Sequence, residues 1–117
     1  MFVCERESEI VGFVSGGISR DEDAPSRHEI YAIYVLDCHC RLGIGRKLIH
    51  RLFETFHVED YSVWVLIQNT GAIEFYRSLG MRPDGVSRHV RIGSEQLEEI
   101  RLVKSRQEAQ SETTVRL

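Results

Sequence analysis

The stretch Cys40-Arg41-Leu42-Gly43-Ile44-Gly45-Arg46 has the residue types and the spacing to hold a phosphate group. An apolar run, Ile30 to Leu36, precedes it, and an amphipathic helical pattern follows. Strand, short Gly-x-Gly loop and helix start, in that order, leave a row of backbone N–H groups without intrahelical partners. The helix dipole favours an anion in front of that row. A phosphate-bearing ligand is therefore expected. Cys38-His39-Cys40, just upstream, offers soft ligands at close spacing. A structural zinc site, however, pairs its first cysteines with a second ligand pair downstream, and none follows. These residues read as small residues of a strand-to-helix loop, and no metal is expected.

The loop works only if the segments around it take the right forms. His28 to Leu36 is apolar on both faces and rich in β-branched and aromatic residues, the pattern of a central strand covered on both sides. From Ile44 the period changes. Ile44, Leu48, Ile49, Leu52, Phe53 and Phe56 line one helical face, with Arg46, Lys47, His50, Arg51 and Glu54 between them on a polar one. Tyr61 to Ile67 is a second strand of the doubly buried kind. Strand, helix, strand predicts a right-handed βαβ unit with two parallel strands. Asn69 or Thr70 caps a second helix that runs to about Leu79, with Ala72, Phe75, Tyr76 and Leu79 as its stripe, and Gly80 ends it.

Upstream, Phe2 to Arg6 and Glu9 to Ile18 read as strands about a Glu7-Ser8 turn, with Gly12, Gly16 and Gly17 weakening the second strand or marking a bulge. Ser19 to Arg27 is a polar, acidic loop. Downstream, Val86 to Ile92 and Leu97 to Lys104 form an antiparallel hairpin over Gly93-Ser94. Residues 1–104 thus make one domain, and 105–117 a polar tail.

The chain has 117 residues, enough for one core and too few for two. Its net charge of -3 gives no basic surface to argue for nucleic acid. No apolar stretch approaches the roughly 20 residues that span a bilayer, so no membrane partner is expected. Glu5, Glu7 and Glu9 stand where a secretory signal would be basic and then apolar. Three cysteines without a spacing framework suggest reduced thiols and a cytoplasmic protein.

Three segments, in order and spacing, resemble one family. Glu29-Ile-Tyr-Ala-Ile-Tyr-Val35 followed by Arg41-Leu-Gly43-Ile-Gly45-Arg46 is similar to the strand and pyrophosphate loop (Q/R-x-x-G-x-G/A) of the GCN5-related N-acetyltransferases, the GNAT superfamily. Asn69-Thr-Gly-Ala72-Ile-Glu-Phe75-Tyr76-Arg-Ser-Leu-Gly80-Met81 is similar to that family's N-x-x-A-x-x-F-Y-x-x-x-G-F segment, and the closing hairpin is the third match. Together they cover roughly residues 1–104. The resemblance implies an α/β (α+β) fold: a mixed, mostly antiparallel sheet with a central parallel β-α-β pair and helices on its faces.

The chain departs from the pattern in three places. Cys40 stands where the family has Gln or Arg, which removes a side-chain contact to the cofactor but leaves the backbone amides. Asp37 stands where proline is common. The sequence begins at what corresponds to the family's second strand, without the first strand and the two helices that wall the acceptor site. That fits a short variant, a fragment, or a chain completed by a partner.

The resemblance also implies a chemistry: transfer of an acetyl group from acetyl-CoA, as co-substrate, directly to a primary amine of a small molecule or peptide. Arg41, Leu42, Gly43, Ile44, Gly45 and Arg46 would bind the pyrophosphate. Backbone groups near Ile33 and Val35 would pair with pantetheine, a form of strand addition. Tyr76 matches the general-acid tyrosine beside the CoA sulfur. A phenol of ordinary pKa near 10 can protonate a thiolate of pKa ~8.5 without itself ionising at neutral pH. Asn69 would bind the cofactor arm or serve only as a helix cap, and Phe75 completes that segment. Glu29 matches a glutamate that acts as base, commonly through water. His28 beside it should face the other side of the sheet. His39 and His57 read as loop residues. A homodimer is expected from the family and from the open sheet edge.

Two other readings compete. A GNAT-like domain that binds CoA, or nothing, and acts as an interaction or regulatory module is favoured by Cys40 and by the absent N-terminal elements. A nucleotide-binding βαβ protein is disfavoured by the lack of a Walker Gly-Lys-Ser/Thr and of a third fingerprint glycine. Asp21, Glu22 and Asp23 either attract a cationic amine or form a solvated loop.

Overall fold

The computed structural model describes residues 1–36, 43–58 and 60–104. The expectations for Asp37, Cys38, His39, Cys40, Arg41, Leu42 and the 105–117 tail fall outside the described residues. The elements follow as β1 (Phe2–Arg6), β2 (Glu9–Ile18), β3 (His28–Val35), α1 (Ile44–Phe56), β4 (Tyr61–Leu66), α2 (Thr70–Ser78), β5 (Arg82–Ile92) and β6 (Glu95–Lys104). They form a six-stranded sheet in the order β1-β2-β3-β4-β6-β5. Every pairing is antiparallel except β3 with β4. This is the mixed, mostly antiparallel α/β architecture with one central parallel pair.

The β1–β2 hairpin turns on Glu7 and Ser8 at φ 53° and 66°. Positive φ at both central residues matches the twist of the flanking strands, at a cost of roughly 1–2 kcal/mol per non-glycine residue. The α1 stripe is the one the sequence pattern indicates: Ile44, Leu48, Ile49, Leu52 and Phe53 are buried. Their burial contributes on the order of 10 kcal/mol of transfer free energy. Phe56, at the frayed end of that stripe, is exposed and lies against His28 at 5.3 Å between ring centroids. His28 therefore faces α1, and Glu29, its neighbour on a pleated strand, faces away.

α2 packs beside α1 on the same side of the sheet. Phe75 touches Gly45, and Arg46 Nη2 donates to Ser78 O and Oγ at 3.3 and 3.2 Å. Tyr61, Val63, Val65, Leu102, Tyr76, Leu79 and Met81 join the α1 stripe in one core. The other side of the sheet carries no described helix, and this changes the reading of β3 as covered on both faces. Ala32 is exposed, and Tyr34 is 54% exposed, stacked on Phe13 in the neighbouring strand. Aromatic and β-branched residues fit a pleated surface whether or not a second layer covers it, so composition alone overstated the burial.

β5 also begins earlier than the pattern suggests. Arg82 and Pro83 already pair with β6, and the register then shifts between Pro83 and Ser87, with Gly85 at φ 89°. Pro-Asp-Gly reads as a loop in sequence, but here it is a bulge within a strand. No helix among the described residues is long and apolar enough to cross a membrane.

Candidate active site

The central strands touch only briefly. β3 and β4 pair at Glu29↔Ser62 and Ile30↔Val63 and at no later register position. The separation begins where β3 carries an extra residue. Ser15 pairs with Ala32 and Gly16 with Ile30, so Tyr31 is bulged out of the β2–β3 ladder. A bulge bends its strand, and here the bend carries the end of β3 away from β4. The Leu36 N–H donates to Val11 O at 2.9 Å. By the alternation of an antiparallel pair, Tyr34 turns its backbone groups toward β2, while Ile33 and Val35 turn theirs toward the gap.

The N-terminus of α1 follows the end of β3 in the chain. Its cap, Gly43, lies at φ 75°, makes no side-chain cap bond, and has no acidic residue in the turn that follows. The first intrahelical bond runs from Lys47 N to Gly43 O. The N–H groups of Ile44, Gly45 and Arg46 therefore lack intrahelical acceptors and suit an anion. Gly45 has a packing reason as well: a Cβ there would lie 3.0 Å from Phe75 Cζ. Phe75 thus sets how closely α2 approaches the start of α1. Asn69 does form a cap, its Oδ1 accepting from Ala72 N at 3.1 Å. That bond leaves the Nδ2 donors uncommitted by the cap.

Tyr76 and Glu29 lie on opposite sides of the sheet. Tyr76, 5% exposed, sits on the helix side, and burial pushes its phenol up to about 12. Tyr61, stacked on Phe53 at 4.1 Å, is likewise pushed up to about 12 by burial, against a smaller opposing effect of Arg46. A phenol near 10 when unfolded and near 12 when folded holds its proton more tightly in the native state. The resulting stability is intact below pH 10 and is lost as pH rises toward 12, about 3 kcal/mol for each tyrosine. Denaturant melts from pH 8 to 11 should show this loss, and Tyr61→Phe should remove about one proton of the slope. A slope unaffected by that substitution would contradict the assignment.

Glu29 lies on the open side and is 1% exposed. The Arg20 backbone N–H donates to Oε1 at 3.0 Å and its Nη2 donates to Oε2 at 2.9 Å. Arg20 supplies the counter-charge that a buried carboxylate needs. This hydrogen bond raises the guanidinium further above its ordinary range. The Tyr31 ring lies 4.2 Å beneath it, and the Tyr31 hydroxyl donates to Ile18 O.

The acidic loop is docked onto this face. Asp21 Oδ2 accepts from Trp64 Nε1 at 2.8 Å, and Arg101, 3% exposed, reaches Asp21 and Asp23 at 3.5 and 3.4 Å and Asp84 at 2.6 Å. Burial works against the Arg101 charge, but the hydrogen bond to Asp84 and the surrounding carboxylates outweigh it, so its pKa is raised. Arg88 stacks on Trp64 at 4.0 Å and pairs with Glu99 at 2.9 Å. Asp21 is thus committed to protein cations, whereas Glu22 and Asp23 are exposed and fit the solvated reading, Asp23 with an Arg101 contact at 3.4 Å.

Arg20, Ser62, Trp64 and Arg101 were not singled out by the sequence. Arg20 meets Glu29 only because the β2–β3 ladder folds residues nine apart together. Of the expected site residues, Glu29, Ile33 and Val35 lie on β3, Gly43, Ile44, Gly45 and Arg46 at the start of α1, and Asn69, Phe75 and Tyr76 on α2 and its cap. Arg41 and Leu42 lie outside the described residues. Among the described residues no metal-binding group occurs.

Known proteins share this fold. The profile of the Acetyltransferase (GNAT) family matches residues 1–81. An N-alpha-acetyltransferase of Sulfurisphaera tokodaii is 30% identical over 99 residues, 75% of this chain and 59% of that protein. An uncharacterized N-acetyltransferase of Bacillus subtilis is 37% identical over 82 residues, 67% of this chain and 47% of its own length. The chain therefore spans about half the length of these curated relatives. A ribosomal-protein-alanine N-acetyltransferase from Brucella melitensis superposes with a TM-score of 0.69 at 25% identity, over 87% of this chain and 65% of that one. A Salmonella typhimurium protein solved with its cofactor acetyl-CoA shares the fold, with a TM-score of 0.67 at 23% identity, over 86% of this chain and 61% of that one. By the length of its profile match, the chain belongs to the acetyltransferase (GNAT) family.

Proposed function

We propose that the protein transfers an acetyl group from acetyl-CoA directly to a primary amine. The observation that supports this reading is the early parting of β3 from β4, followed in the chain by a helix N-terminus without a side-chain cap, with Tyr76 and Glu29 on opposite faces of the sheet. Gly43, Ile44, Gly45 and Arg46, with Arg41 and Leu42 before them, would hold the pyrophosphate. Ile33 and Val35 would pair with the pantetheine amides, and Asn69 Nδ2 would donate to the same arm, with Phe75 fixing the passage. The co-substrate supplies an activated acyl carbon and a thiolate leaving group.

The chain's part is to move protons. The acceptor arrives as an ammonium and loses one proton to Glu29, which returns it to solvent. The neutral nitrogen attacks the thioester carbonyl; an N–C bond forms and the C–S bond breaks. Tyr76 donates its O–H proton toward the departing sulfur and is replenished by the second amine proton. The products are an amide, free CoA and one proton in solution. A peptide amine is supported by the relative named for N-alpha acetylation. Cytoplasmic residence and a homodimer belong to this proposal; the apolar Val3, Phe13 and Tyr34 share the open face and support the second of these.

Calorimetric titration with acetyl-CoA, with ATP and NAD as controls, followed by thiol release with peptide and polyamine amines, tests the reading. Selective micromolar binding and turnover are expected. No binding by folded protein would overturn it. The second reading, a CoA-binding regulatory module, is favoured by the Arg20 clamp that occupies a lone pair on each Glu29 oxygen. It requires binding without thiol release.

A further inference from the structure

Ser62 is 0% exposed, and among the described residues its Oγ is a buried side-chain polar atom without a hydrogen-bond partner. Leaving a hydroxyl unpaired in the interior costs roughly 1–3 kcal/mol, a cost that alanine at the same place would avoid. Its position suggests what the hydroxyl is for. Ser62 is the register partner of Glu29, so the two side chains share the open side of the sheet. The next pair, Ile30↔Val63, is the last before the strands part. The hydroxyl and the carboxylate therefore stand together at the closed end of the gap. Each Glu29 oxygen accepts one bond from Arg20 and keeps a second lone pair.

We propose that Ser62 is a positioning residue for acetyl transfer: its hydroxyl and the Glu29 carboxylate together hold the water that carries the acceptor's proton. This rests on the acetyltransferase reading above. The Ser62 O–H donates to the water oxygen, the water donates to Glu29, and the acceptor ammonium donates to the same water. Three bonds are what a buried water typically makes. When the proton moves, the ammonium N–H bond breaks, the water takes that proton and passes one of its own to Glu29. The water is regenerated, and the net transfer is one proton from nitrogen to carboxylate. Glu29 cannot reach the proton equally well alone, because Arg20 fixes both of its oxygens in place. The charged and titratable groups around this point are Arg20 and Asp21 of the β2–β3 loop, Tyr31 of β3, and Arg101 of β6 beyond Trp64 of β4. His28 faces the other side, against Phe56.

The test is Ser62→Ala, with Ser62→Cys as a second variant of similar size, assayed by thiol release at pH 6.5 and 9.5 alongside melting temperature. At pH 6.5 the acceptor is an ammonium and needs the water; at pH 9.5 much of it is already neutral. The expected result is a roughly tenfold lower kcat at pH 6.5, recovery to within about twofold of the wild type at pH 9.5, an unchanged KM for acetyl-CoA, and a melting temperature equal to or above the wild type. Equal losses at both pH values, or a lower melting temperature, would assign the hydroxyl a packing role and overturn the proposal. A wild type that binds acetyl-CoA but turns over no amine overturns the acetyltransferase reading, and the Ser62 role with it. A turning-over wild type with a flat Ser62→Ala effect removes the Ser62 role alone.

Discussion

Replacing Gly43 by glutamate is expected to weaken acetyl-CoA binding at least about a hundredfold, or ~2.7 kcal/mol, while the protein stays folded. Two effects add. Gly43 holds φ 75°, where a side chain costs roughly 1–2 kcal/mol, so the loop relaxes away from its cradle geometry. The carboxylate also places a negative charge in front of the α1 amides, where it competes with the pyrophosphate for the same N–H groups and repels it. Among the described residues no atom outside the chain neighbours lies within 4 Å of a Cβ at this position, so the described core is not disturbed. Calorimetry on Gly43→Glu and Gly43→Ala separates the two effects: alanine carries the backbone strain without the charge and should lose less. Unchanged binding by the glutamate variant would remove the loop from the site.

Tyr76→Phe is expected to lower kcat by about a hundredfold and leave acetyl-CoA affinity within about twofold. The phenol is buried and its pKa is pushed up to about 12, so it stays protonated at every working pH. It is thus a weaker acid than an exposed tyrosine. The same dry surroundings destabilise a departing thiolate, and a hydrogen bond into that developing charge is worth more there than in water. The loss should therefore appear in kcat and not in KM, with no new limb in the pH profile below pH 10. Single-turnover and steady-state rates, measured side by side, check this. An unaltered kcat would leave Tyr76 as a core residue of α2 and nothing more.

Much of this fold was legible because local rules agreed with each other. β1, β2, α1 and the α2 cap fall where periodicity, turn chemistry and capping residues place them, and Gly43 caps a helix that begins at Ile44. The second side of the sheet was not legible. Val, Ile and Tyr mark a strand equally well beneath a helix or beside solvent, so Tyr34 reads as core until the layer above it is known. Asp84 was hidden by its neighbours, since Pro83 and Gly85 signal a turn, yet the bulge they form delivers its carboxylate to Arg101. Glu29 was visible as a residue, but its partner was not. The contact with Arg20 belongs to the pairing of two strands, and no property of either residue announces it.

The parting of the central strands has a cause that can be counted. From Gly12 to Ile18 β2 offers seven positions to the eight of β3 from His28 to Val35, and the surplus residue is Tyr31. The aperture is therefore an integer mismatch in chain length. Exchanging one apolar side chain for another along β3 tunes its lining but cannot zip it shut, because the ladder has no way to absorb a fractional residue. A family member could thus vary freely in composition around the opening while keeping it open, so long as that single surplus residue is retained.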